Sequence, residues 1–414
     1  MATHPRLLFD PYNQRWILSC LGNESSSSAQ ILLAVSATSD PTGNWYVFSV
    51  YVDPQNYYYY NLYYIYGDYA TADYISMGFN KQWIVVTANM LPLYFSGFYY
   101  NSTYSGANVF VFDKMSLYTN GTGSFTILEA PGDYRGNVPF SMVPSVNYDE
   151  SAPEMYLAEV DGMMGSYALT RAGTRLRLSK LTGEVLHPLL QIGLAFPATG
   201  ANWGNQDTSF AGLGAQQGSP QNIPLNDARI QNLVYRNGTL WCTHTVFLPT
   251  LSPRSSSVQW WQLSTNGAVL QSGRIEDTTG VRSYAFPSLA VNHCNDVLVG
   301  YSGFATNQYA SAYYSFRSGS DPVNTFRDPR LYKAGLGPYE QQAFGTNFVN
   351  ANTWGNYSAT VVDPANDLDL WTLQEYADTP SLGGAGRWGA WWASVDAASI
   401  TPAARSSLRP AASR

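Results

Sequence analysis

The stretch RLLFDPYNQRWILSCL (residues 6–21) reads as strand, tight turn, strand. An apolar run, Leu7 to Phe9, meets the turn cluster Asp10-Pro11-Tyr12-Asn13-Gln14, and a second apolar run opens at Trp16. Asp, Pro and Asn suit the turn because Pro presets φ while Asp and Asn bond locally to the backbone. The plan returns at DYISMGFNKQWIVVTAN (73–89), VPSVNYDESAPEMYLAE (143–159), ARIQNLVYRNGTLWCTH (228–244), FPSLAVNHCNDVLVGYS (286–302) and NYSATVVDPANDLDLWTLQEY (356–376). The copies lie on average about 70 residues apart, and a repeat of this size built only of strands means a radial or stacked β architecture. The expectation is an all-β chain: a six-bladed β-propeller of four-stranded antiparallel blades. Seven blades is the alternative if the insert at 195–224 hides a degenerate one. One domain over 1–400 is expected, with a disordered Ala/Ser/Pro/Arg tail at 401–414. The weak point is closure, because no strong fourth strand follows RWGAWWASV (387–395).

Composition narrows the functional classes. Charged residues make up 12% of the chain and aromatics 15%, with 31 Tyr and 12 Trp. Rings, amides and hydroxyls replace Lys and Glu on the surface, which suits an extracellular or cell-surface protein that touches sugars; strand-rich chains also favour Tyr and Thr for their own packing. The net charge is −7 and no Lys/Arg run occurs, which argues against a nucleic-acid partner. No apolar stretch is long enough for a membrane span. The start, MATHPRLLFD, enters the first strand at once and carries no leader pattern. Cys20, Cys242 and Cys294 define no disulfide framework, and His4, His187, His244 and His293 share no ligand spacing, so neither a zinc site nor a His-based triad is expected.

Two turns carry a family likeness. Ser39-Asp40-Pro41-Thr42-Gly43-Asn44-Trp45 and Ser318-Gly319-Ser320-Asp321-Pro322-Val323-Asn324-Thr325-Phe326 resemble the Asp-box of the sialidase-like β-propellers, roughly Ser-x-Asp-x-Gly-x-Thr-Trp. Both follow a third strand, where that family keeps the turn. The likeness implies a propeller fold and a structural turn facing away from the ligand side. It also implies a model for chemistry: an arginine triad on a carboxylate, a Tyr nucleophile activated by a Glu, and an Asp acid/base. Tyr376 or Tyr284 would be the first, Glu375 or Glu159 the second, Asp73 or Asp207 the third. Adjacent strand residues such as Glu375 and Tyr376 point to opposite faces, which counts against that pair.

The loops that enter first strands and those that join second to third strands build a propeller's ligand face. They supply Arg135, Arg229 and Arg282 as a clamp for an anionic ligand. For stacking or hydrogen bonding they supply Tyr74, Tyr284, Trp354 and Asn356, and Trp203 comes from the insert. Asp363 to Asp369 resembles an oxygen-rich calcium loop, but it occupies the same hairpin turn as the other copies, so no metal is expected there. The Tyr-rich link DPQNYYYYNLYYIYGDYATA (53–72) reads either as a stacking platform or as a loop folded on its own blade. The functional expectation is a binding propeller for glycan or matrix ligands. The alternatives are a sialidase-like glycoside hydrolase or lyase, and a structural module of a surface assembly.

Overall fold

The computed structural model describes residues 2–24, 26, 28–53, 69–93, 95–96, 99–100, 106–130, 137–152, 154–163, 172–207, 212–341, 352–355 and 358–397. Arg135, Asn356, most of the Tyr-rich link and the tail at 401–414 lie outside them.

The chain is all-β, and the helix among the described residues is α1 (Lys114–Tyr118), capped by the Asp113 carboxylate. No described helix is long and apolar enough to cross a membrane. Six successive antiparallel units follow the six sequence copies. The first is β1 (Ala2–Asp10), β2 (Arg15–Gly22), β3 (Gln30–Ser36) and β4 (Trp45–Tyr51). The second is β5 (Tyr69–Phe79), β6 (Trp83–Leu93), β9 (Gly106–Asp113) and β10 (Phe125–Ala130), with the small pair β7 (Phe95–Ser96) and β8 (Tyr99–Tyr100) between β6 and β9. The third is β11 (Val143–Asn147), β12 (Met155–Val160), β13 (Ala172–Glu184) and β14 (His187–Ala195), after which β15 (Ala198–Gly204) returns to β13. The fourth is β16 (Ile230–Arg236), β17 (Thr239–Leu248), β18 (Ser255–Ser264) and β19 (Val269–Ile275). The fifth is β20 (Ser283–Val291), β21 (Val297–Ala305), β22 (Gln308–Arg317) and β23 (Arg330–Lys333). The sixth is β24 (Ala359–Val362), β25 (Leu370–Asp378) and β26 (Arg387–Val395).

A local rule explains why each copy turns where it does. In five units the first strand ends on, or is followed at once by, an Asp or Asn whose side chain accepts a backbone N–H two residues on. Asp10 takes Tyr12 N at 2.9 Å, Asn80 takes Gln82 N at 3.0 Å, and Asn147 takes Asp149 N at 2.7 Å. Asn292 takes Cys294 N, and Asp363 takes Ala365 N, each at 2.9 Å. The fourth unit uses Asn237-Gly238 instead, both at positive φ (49° and 72°), the two-residue turn that matches strand twist.

The expectation of six separate four-stranded blades needs correction. Among the described residues the sixth unit has three strands, and the third gains β15. The insert at 195–224 contributes β15 and two isolated bridges, Gln206–Asp227 and Gly214–Ile223, with no sheet of its own among the described residues. The units also merge, because first strands of neighbouring units pair in parallel. Ser145, Val146 and Asn147 of β11 oppose Leu233, Val234 and Tyr235 of β16, and Val146 opposes Phe79 of β5. The approach of β5 to β11 requires Gly78: a Cβ there would overlap the carbonyl oxygens of Pro144 and Ser145. Gly78→Val is therefore expected to cost about 1–3 kcal/mol or more through overpacking, read as a lower urea midpoint with unchanged m.

Apolar side chains fill each space between successive units. Ile31 and Val35 meet Phe79 and Phe112, Val85 and Val109 meet Leu157 and Leu181, and Leu178 meets Leu233 and Cys242. Trp241 and Trp260 meet Leu289 and Val299, and Leu298 and Phe316 meet Val362 and Leu370. Among the described residues no such core joins the sixth unit to the first. Leu7 and Val47 on the first unit stay exposed, as do Val361, Leu373 and Trp392 on the sixth.

Candidate functional site

The first strands of all six units line one cavity of about 740 Å³. Its wall runs through Leu8, Met77, Val146, Leu233, Leu289 and Thr360, one residue from each unit. Its lining also includes Phe9 and Trp16 of the first unit and Trp371 and Trp392 of the sixth. Phe9 and Trp16 meet edge-on at 5.1 Å, and Trp371 and Trp392 lie 5.2 Å apart. The outer strand β26 presents Trp388, Trp391 and Trp392 to solvent at 57%, 46% and 64% exposure. Lys333 sits 4.2 Å over the Trp391 ring.

At the end where first strands begin, four of them are bulged. The register slips between Thr3 and Arg6, Asp73 and Ser76, Ile230 and Asn232, and Ala285 and Ser288. His4, Tyr74 and Phe286 sit in these slips with φ of 53°, 47° and 57°, a conformation that re-aims a side chain. Around Tyr74 this collects a polar group. The Arg229 guanidinium lies 4.1 Å over the ring and that of Arg6 lies 5.4 Å away, while the hydroxyl donates to Gln231 Oε1 at 3.1 Å. Arg229 is held by both oxygens of Asp227, at 2.7 and 2.6 Å. Burial works against its charge, but Asp227 more than offsets this and raises its pKa.

Asp73 is next in the chain. Its Oδ1 lies 3.2 Å from His4 Nε2, which lies 3.2 Å from Glu24 Oε1. Burial pushes the Asp73 carboxyl up, but the His4 bond and the charges of His4 and Arg229 outweigh it and the net shift is down. Burial likewise lowers His4, and its two carboxylate partners reverse that and raise it.

The remaining sequence candidates divide by place. Arg282 donates its backbone N–H to Asp277 and its Nε–H to Gln308, so it shares no partner with Arg229. Tyr284 is buried between Tyr301 and Tyr313, and burial raises its hydroxyl to about 12. Trp354 is buried against Tyr339 and Phe304 and donates to Ser302. Trp203 is fully buried against His244 and Trp261. Glu375 accepts the Gly355 N–H at 2.9 Å, and burial raises its carboxyl. Tyr376 packs on Trp391 and Lys333, away from that carboxylate, as the strand alternation requires. Glu159 is buried on Arg177. Asp207 accepts the N–H groups of Leu213 and Leu225 and so shapes the insert.

The oxygens of the calcium-like turn bond within the turn and to Trp371 and Arg236. Asp363 takes Ala365 N and Trp371 Nε1, Asp369 takes Asn366 Nδ2, and Asp367 pairs with Arg236. The Asp-box-like turns close as their chemistry demands. Asp40 accepts Thr42 N and Oγ1, at 2.9 and 2.7 Å, and the Thr42 bonds lower its carboxyl. Asp321 accepts Ser318 N and both arms of Arg327.

The sequence reading missed His4, Glu24 and Arg6 as site residues, and read β26 only as a strand. A signal existed for β26: three Trp within nine residues of an end strand. His4 and Glu24 left none, because only the bulge and the β2–β3 loop bring them to Asp73.

No protein-family model matches the chain, and neither does any curated protein. Solved structures do resemble it. One is a protein of unknown function from Dyadobacter fermentans, with a TM-score of 0.47 and 9% identity over 95% of this chain and 93% of the other. Another is the Trypanosoma rangeli sialidase bound to the inhibitor DANA, with a TM-score of 0.42 and 8% identity over 94% of this chain and 54% of the sialidase. A third is the GH93 α-L-arabinofuranosidase of Fusarium graminearum in complex with arabinobiose, with a TM-score of 0.43 and 10% identity over 95% and 92%.

Proposed function

We propose that this chain is a six-bladed β-propeller of the sialidase-like kind, acting outside the cell or at its surface as a carbohydrate-binding protein. The observation that carries the reading is the tryptophan wall of the sixth unit. Trp388 and Trp392 are exposed, and Trp392 and Trp371 border the cavity. Flat, solvent-facing indoles bind the apolar faces of sugar rings, and a cavity of about 740 Å³ falls in the size range of small-ligand sites. A glycan array tests the reading. A hit is expected whose affinity falls about 10-fold in Trp392→Ala, a loss of about 1.4 kcal/mol. An array with no hit, or a hit indifferent to Trp392→Ala and Trp388→Ala, sinks it.

A second reading, a glycoside hydrolase or lyase, draws on the group around Tyr74. There Arg229 and Arg6 would hold an anionic substrate and Asp73 would supply the acid. Arg282, Tyr284 and Trp354 would act from further out, by holding the loops around the mouth. Turnover of fluorogenic glycosides separates this reading from binding alone.

A further inference from the structure

We propose that His4, Glu24 and Asp73 form a three-ligand site for a divalent first-row metal ion such as zinc, joining the first unit to the second. The three side chains come from β1, the β2–β3 loop and β5, and their ligand atoms all lie within 4.8 Å of one another. Both carboxylates face the same imidazole nitrogen, at 3.2 Å each. A single Nε2–H can be aimed at only one of them. The two equal distances also exceed the roughly 2.7–2.9 Å of a charge-assisted hydrogen bond. They come close to the spacing of groups around one ion: N and O ligands about 2.0–2.2 Å from a tetrahedral ion lie roughly 3.3–3.6 Å apart, so a small outward shift would admit it.

The surroundings fit. Glu24 offers Oε1 to the site while its Oε2 accepts the Thr3 hydroxyl at 2.6 Å, an outer contact that fixes one-oxygen ligation. Neutral imidazole and two carboxylates balance a dication, and the nearby Arg229 charge is already neutralised by Asp227. The Tyr74 ring, edge-on to His4 at 6.4 Å, walls one side. Three protein ligands leave a fourth position for water or a substrate oxygen. The inference stands apart from the carbohydrate-binding reading, which rests on the sixth unit, and is an alternative to the hydrolase reading, in which Asp73 supplies the acid.

The test is titration of the metal-free full chain with Zn²⁺ by calorimetry, with Co²⁺ as a spectroscopic probe and thermal melting alongside. One equivalent of zinc is expected to bind and to raise the melting temperature, and Co²⁺ to give the visible absorption of a tetrahedral site. His4→Gln and Asp73→Asn should each weaken zinc binding by about 100-fold or more. If either variant fails to fold, Glu24→Gln, whose side chain is more exposed than that of His4, with the cobalt spectrum of the wild-type chain, decides the matter. No bound equivalent, no tetrahedral cobalt band, or binding unchanged in the folded variants overturns the proposal.

Discussion

Arg177→Ala is expected to destabilise the protein by about 3–5 kcal/mol, seen as a large fall in the urea midpoint. Arg177 and Glu159 are each 1% exposed and meet at 2.9 Å. Glu159 also accepts the Phe140 N–H at 2.6 Å, and Arg177 donates to the Asn137 carbonyl at 2.9 Å. The pair thus fastens the segment before β11 to β12 and β13. Removing the arginine leaves a carboxylate with no charge partner in a site that excludes water. Burial already raises the Glu159 carboxyl, and Arg177 is what opposes it. A carboxyl whose folded pKa lies above its unfolded one costs stability as pH rises from the unfolded value, about 4.3, through the folded value. Arg177→Ala widens that gap, so the variant should regain stability relative to wild type on acidification through this window. Replacing both partners, as in Glu159→Leu with Arg177→Met, should cost less than the single change. If the double variant is the weaker, the pair is not the reason for the loss.

Acid should weaken the fold through His244, with an effect of several kcal/mol. The ring is fully buried, and burial lowers its pKa to about 3. Trp261 Nε1–H donates to His244 Nε2 at 3.1 Å, so the neutral ring carries its proton on Nδ1, which faces the Thr245 carbonyl at 3.1 Å. The unfolded chain takes up a proton below about 6.5 while the folded one does not. Stability from this group is therefore complete above about 6.5 and falls by about 1.4 kcal/mol per pH unit as pH drops towards 3. His4 acts with the opposite sign, because its partners raise it: its contribution is present below its unfolded pKa and is lost as pH rises through the folded one. The comparison is therefore wild type against His244→Gln, which keeps an acceptor for Trp261. Unfolding at pH 7.5 and pH 5 should show a smaller loss in the variant. Equal losses would place the acid sensitivity elsewhere.

How much was legible follows from where each interaction is made. The repeat, the strand pairs and the turns are written locally. Asp10, Asn80, Asn147, Asn292 and Asp363 each bond the backbone two residues on, so residue type and position are enough to find them. Asp40 and Asp321 were readable for the same reason. The candidate site is a different matter. A first strand read as regular alternation hides the slips that turn His4, Tyr74 and Phe286 out of register. Glu159, Glu375, Tyr284 and Trp354 were read as available to a ligand, yet contacts within their own units, and for Trp354 with the fifth unit, bury them or occupy their polar atoms.

By itself, then, the sequence determined an all-β chain of six hairpin-led units, because alternation and side-chain-to-backbone turns act within a few residues. The tertiary structure alone decided which polar groups meet. The Arg6–Tyr74–Arg229 stack, the His4–Glu24–Asp73 group and the tryptophan wall facing the first unit each join segments of different units, or leave a face uncovered between them. Contacts of that kind depend on bulges and on how units pack against one another, and apart from the clustered Trp of β26 no local pattern of residues hints at them.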